Sequence, residues 1–146
     1  MSYWDTSALV KLYALEPDSA AFENHLRTPA HSVVSSRVAL WEAWATFRRK
    51  EAEGALAPGA AQLLQAELQT DLCTGEWRLV EAGNRVEAEF NRIVDLCYLR
   101  TPPLFIRTFD AIHLASARVA GETEIVASDK RLREAARVLG FALFPQ

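Results

Sequence analysis

This chain is poor in the residues that several common chemistries need. It has two cysteines, Cys73 and Cys97, at a separation that matches neither metal-ligand nor redox spacing. A disulfide framework and a thiolate metal site are thereby excluded, and the pair reads as reduced thiols in a cytoplasm. No stretch approaches the ~20 apolar residues of a membrane span. Strand-like residues begin at Ser2, so no signal peptide is expected. The six glycines form neither a P-loop nor a dinucleotide fingerprint. Ser7, Ser35 and Ser36 belong to no motif with a paired His and Asp, which leaves a serine or thiol nucleophile unsupported. Positive charge is outnumbered, 16 Lys and Arg against 19 Asp and Glu, for a net charge of −3. A broad basic face is excluded, and any work on nucleic acid has to come from a local site.

What remains is an ordinary globular composition, 50% apolar and 24% charged. The 146 residues form one expected domain, 1–146, with no repeat, linker or low-complexity segment. A chain of this length buries roughly two-thirds of its unfolded surface. Aromatic β-formers at Tyr3 and Trp4 predict a first strand ending at Asp5, with Thr6 or Ser7 starting a helix to about Leu15. A second helix runs from Asp18 or Ser19 to about Arg27, ended by Pro29. His31 to Ser35 is the expected second strand, followed by a long helix from about Ser36 to Glu53. Pro58 opens a helix to about Thr74. Trp77 to Val80 is a short strand, and Asn84 caps a helix to about Leu99 whose inner face carries Val86, Phe90, Ile93, Val94 and Cys97. Further helices are expected over Phe109–Ala120 and Asp129–Leu139, and strands over Ile125–Ala127 and Ala142–Phe144. Alternating strands and helices imply a mostly parallel sheet covered on both faces, a three-layer α/β/α sandwich. Trp41, Trp44 and Phe47 are expected to pack its core.

The acids sort by neighbourhood. Glu51 and Glu53, Glu87 and Glu89, and Glu122 and Glu124 lie among other charges and read as solvated faces. Asp5, Glu42 and Asp110 stand alone in apolar surroundings. Glu42 is the only charge between Val38 and Phe47, and Asp110 sits between Phe109 and Ala111 in the first turn of its helix. Burying an ionised carboxylate costs several kcal/mol unless it is paired or holds a metal. Each acid alone has a plainer explanation: Asp5 as a helix cap, Asp110 as a complement to the helix dipole, Glu42 as a partner of Arg49. Three such cases in one small domain favour a site. Asp129 is the fourth candidate. It matches an N-cap equally well, but it follows a strand end as Asp5 does, where ligands bind in open α/β sheets.

Carboxylates at strand ends suit magnesium or manganese, hard cations that prefer oxygen. Such an ion can activate water and steady charge on a phosphorane. His113, one turn after Asp110, reads as a satisfied interior histidine more readily than as a general base.

Four segments then resemble one known family. They are Asp5-Thr6-Ser7-Ala8-Leu9-Val10-Lys11-Leu12-Tyr13; Ser36 through Glu42; Arg107-Thr108-Phe109-Asp110-Ala111-Ile112-His113-Leu114-Ala115; and Ser128-Asp129-Lys130-Arg131-Leu132 with Ala135-Ala136 and Leu139-Gly140. In order and spacing they resemble the PIN-domain proteins, nearest to VapC toxins of toxin–antitoxin pairs. The resemblance implies a parallel α/β/α sandwich in which Asp5, Glu42, Asp110 and Asp129 converge on Mg²⁺ or Mn²⁺. It also implies endoribonuclease activity on RNA, a homodimer, and inhibition by a small VapB-like antitoxin. Ser7, Ser128 and Arg107 are the expected supporting residues. Where the family often has Thr two residues before the last acid, this chain has Ala127. Lys11, Arg107 and Lys130 are the cations considered for backbone phosphates, against a reading as solvated or salt-bridged side chains. An inactive PIN-like binding module serving a protein partner is the alternative, which the complete set of four acids disfavours. A response-regulator-like phosphoacceptor is a third, disfavoured because two of the acids lie on helices.

Overall fold

The computed structural model describes residues 2–28, 33–75 and 77–146. Its five strands are β1 (Ser2–Trp4), β2 (Val33–Ser36), β3 (Trp77–Val80), β4 (Glu124–Val126) and β5 (Ala142–Phe144). They form one sheet in the order β3-β2-β1-β4-β5, with every pairing parallel. Seven α-helices are seen among the described residues: α1 (Thr6–Leu9), α2 (Ser19–Leu26), α3 (Val38–Ala52), α4 (Ala60–Cys73), α5 (Asn84–Tyr98), α6 (Thr108–Ala120) and α7 (Lys130–Val138). The expected sandwich is therefore present. Pro29, His31 and Ser32 lie outside the described residues, so the second strand is described from Val33.

Alternation along β1 splits the core. Successive strand residues point to opposite faces, so Tyr3 packs with Val34, Ile93, Leu114, Ile125 and Leu132 beneath α5, α6 and α7. Trp4 packs on the other face with Leu9, Phe22, Phe47, Leu68 and Trp77. The α5 periodicity is realised: Val86, Ile93 and Cys97 are buried, with Phe90 and Val94 partly buried against the same cluster. Cys73 and Cys97 are both free. Among the described residues no helix is long and apolar enough to cross a membrane.

Three expectations are corrected. The first helix is shorter than its spacing predicts, because the chain tightens into a 3₁₀ turn over Val10–Leu12. Of the α3 aromatics only Phe47 is buried. The buried stripe of that helix is Val38, Ala39, Ala43 and Phe47, which leaves Trp41 exposed and Trp44 at the surface with the Arg48 guanidinium over its ring at 4.4 Å. Glu122 is buried rather than solvated, because Arg78 reaches it from β3 at 3.2 Å.

β1 lies at the centre of the sheet, and the chain leaves it toward β2 on one side and β4 on the other. The crevice at the carboxyl ends of β1 and β4 is thus the switch point where α/β sheets bind ligands.

Candidate active site

Asp5 directly follows β1, and its backbone N–H continues the ladder by donating to Val126 O at 3.1 Å. It is itself the N-cap of α1, a role expected of Thr6 or Ser7. Its carboxylate accepts from the Ala8 N–H at 3.1 Å and the Ser7 hydroxyl at 2.7 Å. Asp129, after β4, caps α7 in the same way, accepting from the N–H groups of Arg131 and Leu132 at 2.9 and 3.0 Å. Both plain capping roles are therefore real, and both acids still face one crevice. Asp5, Glu42, Asp110 and Asp129 all line a single cavity of about 290 Å³, together with Thr6, Ser7, Thr46, Arg49, Arg107, His113 and Ser128. Ser7 joins its two ends: besides donating to Asp5, its oxygen accepts from the backbone N–H of Ser128 at 2.8 Å and of Asp129 at 3.1 Å. The Ser128 hydroxyl donates to the Ser7 carbonyl at 3.4 Å.

Glu42, on the first turns of α3, does not pair with Arg49. It accepts from the Thr6 hydroxyl at 2.6 Å and from His113 Nε2 at 2.6 Å. Since a carboxylate only accepts, Nε2 carries the proton of that bond, and Nδ1 can take the Tyr3 O–H at 2.7 Å. Burial and the charge of Asp5 hold the Tyr3 phenol well above its ordinary pKa, so it stays a donor. His113 is the interior, hydrogen-bonded residue that its helix suggested, but one of its partners is a candidate site acid. Thr6 and Tyr3 carried no sequence signal for this role. Their hydroxyls meet Glu42 and His113 only through contacts that span 36 and 110 residues.

Asp110 and Asp129 are held differently. Arg107 donates to both Asp110 oxygens at 2.8 and 3.1 Å, and to Asp129 Oδ2 at 2.8 Å. Lys11, by contrast, is withdrawn from the site, buried and paired with Glu16 and Asp18.

The charges follow from these contacts. Asp5 is 4% exposed. Burial raises its pKa to about 6, against the pull of His113, Ser7 and the backbone N–H groups. Burial would raise Glu42 as well, but His113, Thr6 and Arg107 outweigh it and the net shift is downward. For Asp129 burial is likewise overcome, by the Leu132 N–H and Arg107. The hydrogen bond to Asp110 raises Arg107.

The donor set is oxygen-rich, as a hard divalent cation requires. Among the described residues, however, no three His, Cys, Asp or Glu side chains are drawn together tightly enough to hold an ion. Positive charge at the crevice comes instead from Arg107.

Comparison with known proteins agrees with this architecture. Residues 2–138 match the family model of the PIN domain. Ribonuclease VapC46 of Mycobacterium tuberculosis is 35% identical over 143 residues, covering 97% of this chain and 94% of the relative. The crystal structure of VapC20 from Mycobacterium tuberculosis, a sarcin-ricin loop cleaving toxin, has a TM-score of 0.70 at 18% identity, over 92% of this chain and 95% of that one. The structure of VapBC2 from Rickettsia felis, bound to a DNA fragment from its promoter, has a TM-score of 0.68 at 16% identity, over 98% and 97%. A family model spanning most of the chain and an end-to-end relative at 35% identity place it: the chain belongs to the PIN-domain family, among the VapC proteins.

Proposed function

We propose that the protein is a Mg²⁺- or Mn²⁺-dependent endoribonuclease, the toxin of a toxin–antitoxin pair, hydrolysing RNA phosphodiester bonds at the crevice between β1 and β4. One observation carries this reading: four acids dispersed over the chain line one cavity at the sheet's switch point. The names of the VapC relatives support the ribonuclease class, and the VapBC2 complex supports a small VapB-like antitoxin as partner. A homodimer is proposed with it.

Asp5, Glu42, Asp110 and Asp129 are the residues that would hold the metal. Their oxygen donors suit it, and burial of the Asp5 charge is a cost that a cation would offset. When bound, the ion lowers the pKa of a water and stabilises negative charge at phosphorus. The chain's own contribution is positional. Ser7 holds Asp5 by its hydroxyl and the Asp129 loop by its oxygen, so the ends of β1 and β4 stay in register. Thr6 and His113 aim Glu42. Arg107 holds Asp110 and Asp129 and is the cation nearest an incoming phosphate. Hydrolysis adds water across one P–O bond, leaving phosphate on one fragment and hydroxyl on the other.

The test is cleavage of a structured RNA by purified protein with Mn²⁺ and with excess EDTA, beside Asp5→Asn and Asp110→Asn. Cleavage that needs metal and both acids is expected. Cleavage persisting in EDTA, or undiminished in both variants, would overturn the reading.

A further inference from the structure

A second cavity adjoins the acidic one and shares three of its lining residues, Arg107, Ser128 and Asp129. It measures about 750 Å³, and its other walls include Phe105, Lys130 and Arg131. Phe105 is 69% exposed, a poor place for an apolar ring, since it forgoes the gain of burial. The ring is nonetheless held. Tyr98 packs edge-on against it, centroids 5.8 Å apart and planes at 87°, and the Tyr98 hydroxyl donates to Ile106 O at 2.9 Å. Phe105 is thus a braced aromatic surface facing solvent.

Lys130 and Arg131 are also exposed, and neither forms an ion pair among the described residues, although Glu134 lines the same cavity. As the first two residues of α7 they face the positive end of its dipole, which disfavours cations. Their place is not explained by helix stability. In a chain of net charge −3, two unpaired cations beside four acids form a local attractor for an anion. A braced ring next to free cations is the combination that binds single strands, with bases stacking on the ring and phosphates meeting the charges.

We propose that this cavity seats a nucleotide flanking the scissile bond of single-stranded RNA, its base on Phe105 and its phosphate on Lys130 and Arg131. The proposal rests on the ribonuclease reading above and extends it to how the strand is held. Continuity with the acidic crevice favours the RNA over a protein partner: a strand whose phosphodiester lies among the acids passes directly into this cavity.

The experiment uses the full chain carrying Asp5→Asn to prevent turnover, in millimolar Mg²⁺. A fluorescein-labelled single-stranded RNA of about a dozen nucleotides is titrated by anisotropy between about 50 and 200 mM salt. Phe105→Ala is expected to weaken binding by about tenfold at every salt concentration, and Phe105→Tyr to preserve it, as stacking requires. The Lys130→Gln, Arg131→Gln double variant is expected to weaken binding and flatten the log–log salt slope by roughly 1.4, from about 0.7 for each lost phosphate contact. All three positions are exposed, and unchanged melting temperatures would show that the fold is intact.

Binding like the parent in both Phe105→Ala and the double variant overturns the proposal. So does rescue by Phe105→Leu equal to that by tyrosine, which marks a generic apolar face for a protein. Absence of RNA binding by the parent also overturns it. Cleavage by the wild-type chain separates the two readings. If it cuts RNA with metal while the Phe105 and double variants bind like the parent, only the subsite falls. If it cuts no RNA, the ribonuclease reading falls and takes the subsite with it.

Discussion

The two walls of the acidic cavity hold their carboxylates by different physics. On one wall Glu42 is fixed by a chain of buried groups, Tyr3 to His113 to Glu42, with Thr6 alongside. His113 and Tyr3 are buried, and each link is short and solvent-poor. On the other wall Asp110 and Asp129 share one guanidinium, and the Arg107 side chain is 53% exposed. Hydrogen bonds shielded from water are strong and costly to leave unmade. Ion pairs open to water are worth little and exchange readily. The first wall is accordingly a permanent mount. The second is a replaceable clasp, in which a metal ion or a phosphate can take over half of the partnership.

The largest effects should come from the acids that both walls present. Asp110→Asn and Glu42→Gln should each reduce RNA cleavage by at least about a hundredfold, the scale of losing one fixed electrostatic contact at a reacting centre. Rates within tenfold of wild type would mean that the cavity is not where the chemistry happens.

Asp5, between the walls, is tested by pH. Its folded pKa of about 6 lies above its unfolded value of 3.8, so the folded state binds the proton more tightly. Its contribution to stability is then fully present below pH 4 and is lost as pH rises through 6. At roughly 1.4 kcal/mol per unit the cost at pH 7 is at most about 3 kcal/mol. Asp5→Asn, which keeps an acceptor for the Ala8 N–H, should melt several degrees above wild type in EDTA at pH 7, and the gap should close near pH 4. A gap independent of pH would show that burial of this charge is not what the substitution relieves.

The fixed wall is broken by Tyr3→Phe, which leaves His113 Nδ1 buried without its donor. The expected cost is about 1–3 kcal/mol, or roughly 2–4 °C per kcal/mol in melting temperature. His113→Gln should slow cleavage less than any acid substitution does, because histidine acts here by aiming Glu42. A loss beyond about a hundredfold with an intact fold would assign it proton transfer instead.

The smallest effect belongs to the clasp. Arg107→Gln should change metal-free stability by no more than about 1 kcal/mol. Its melting temperature should respond more to millimolar Mn²⁺ than that of wild type, since the ion no longer has to displace a guanidinium. A weaker response would make Arg107 a support for the metal rather than its competitor.

Isolation in an apolar run was a sound guide to burial for Asp5 and Asp110, which is 6% exposed. It misled for Trp41 and Trp44, because an aromatic run on a long helix must wrap around it, and only one stripe of α3 faces the sheet. It also missed Glu122, whose charged neighbours in sequence are not its neighbours in space. Local order was legible because it is set over a few residues. Strand alternation, the helix periods and the break at Gly121, which adopts a left-handed φ of +77°, all act within one or two turns. Lys11 looked available in sequence because its acidic partners, Glu16 and Asp18, reach it only once the chain turns back after the 3₁₀ segment.

By itself, then, the sequence determined that this is a parallel α/β/α domain with acids at strand ends and helix starts. Those properties follow from periodicity, capping and the cost of stranding a charge among apolar side chains. The tertiary structure alone decided which groups answer those charges: Tyr3, Thr6 and His113 for Glu42, and Arg107 for Asp110 and Asp129. Such partnerships depend on β1 lying between β2 and β4, which brings α1, α3, α6 and the start of α7 to one edge. A hydrogen bond is decided within about 3 Å, and residues 36 to 110 positions apart come that close only when the sheet has assembled.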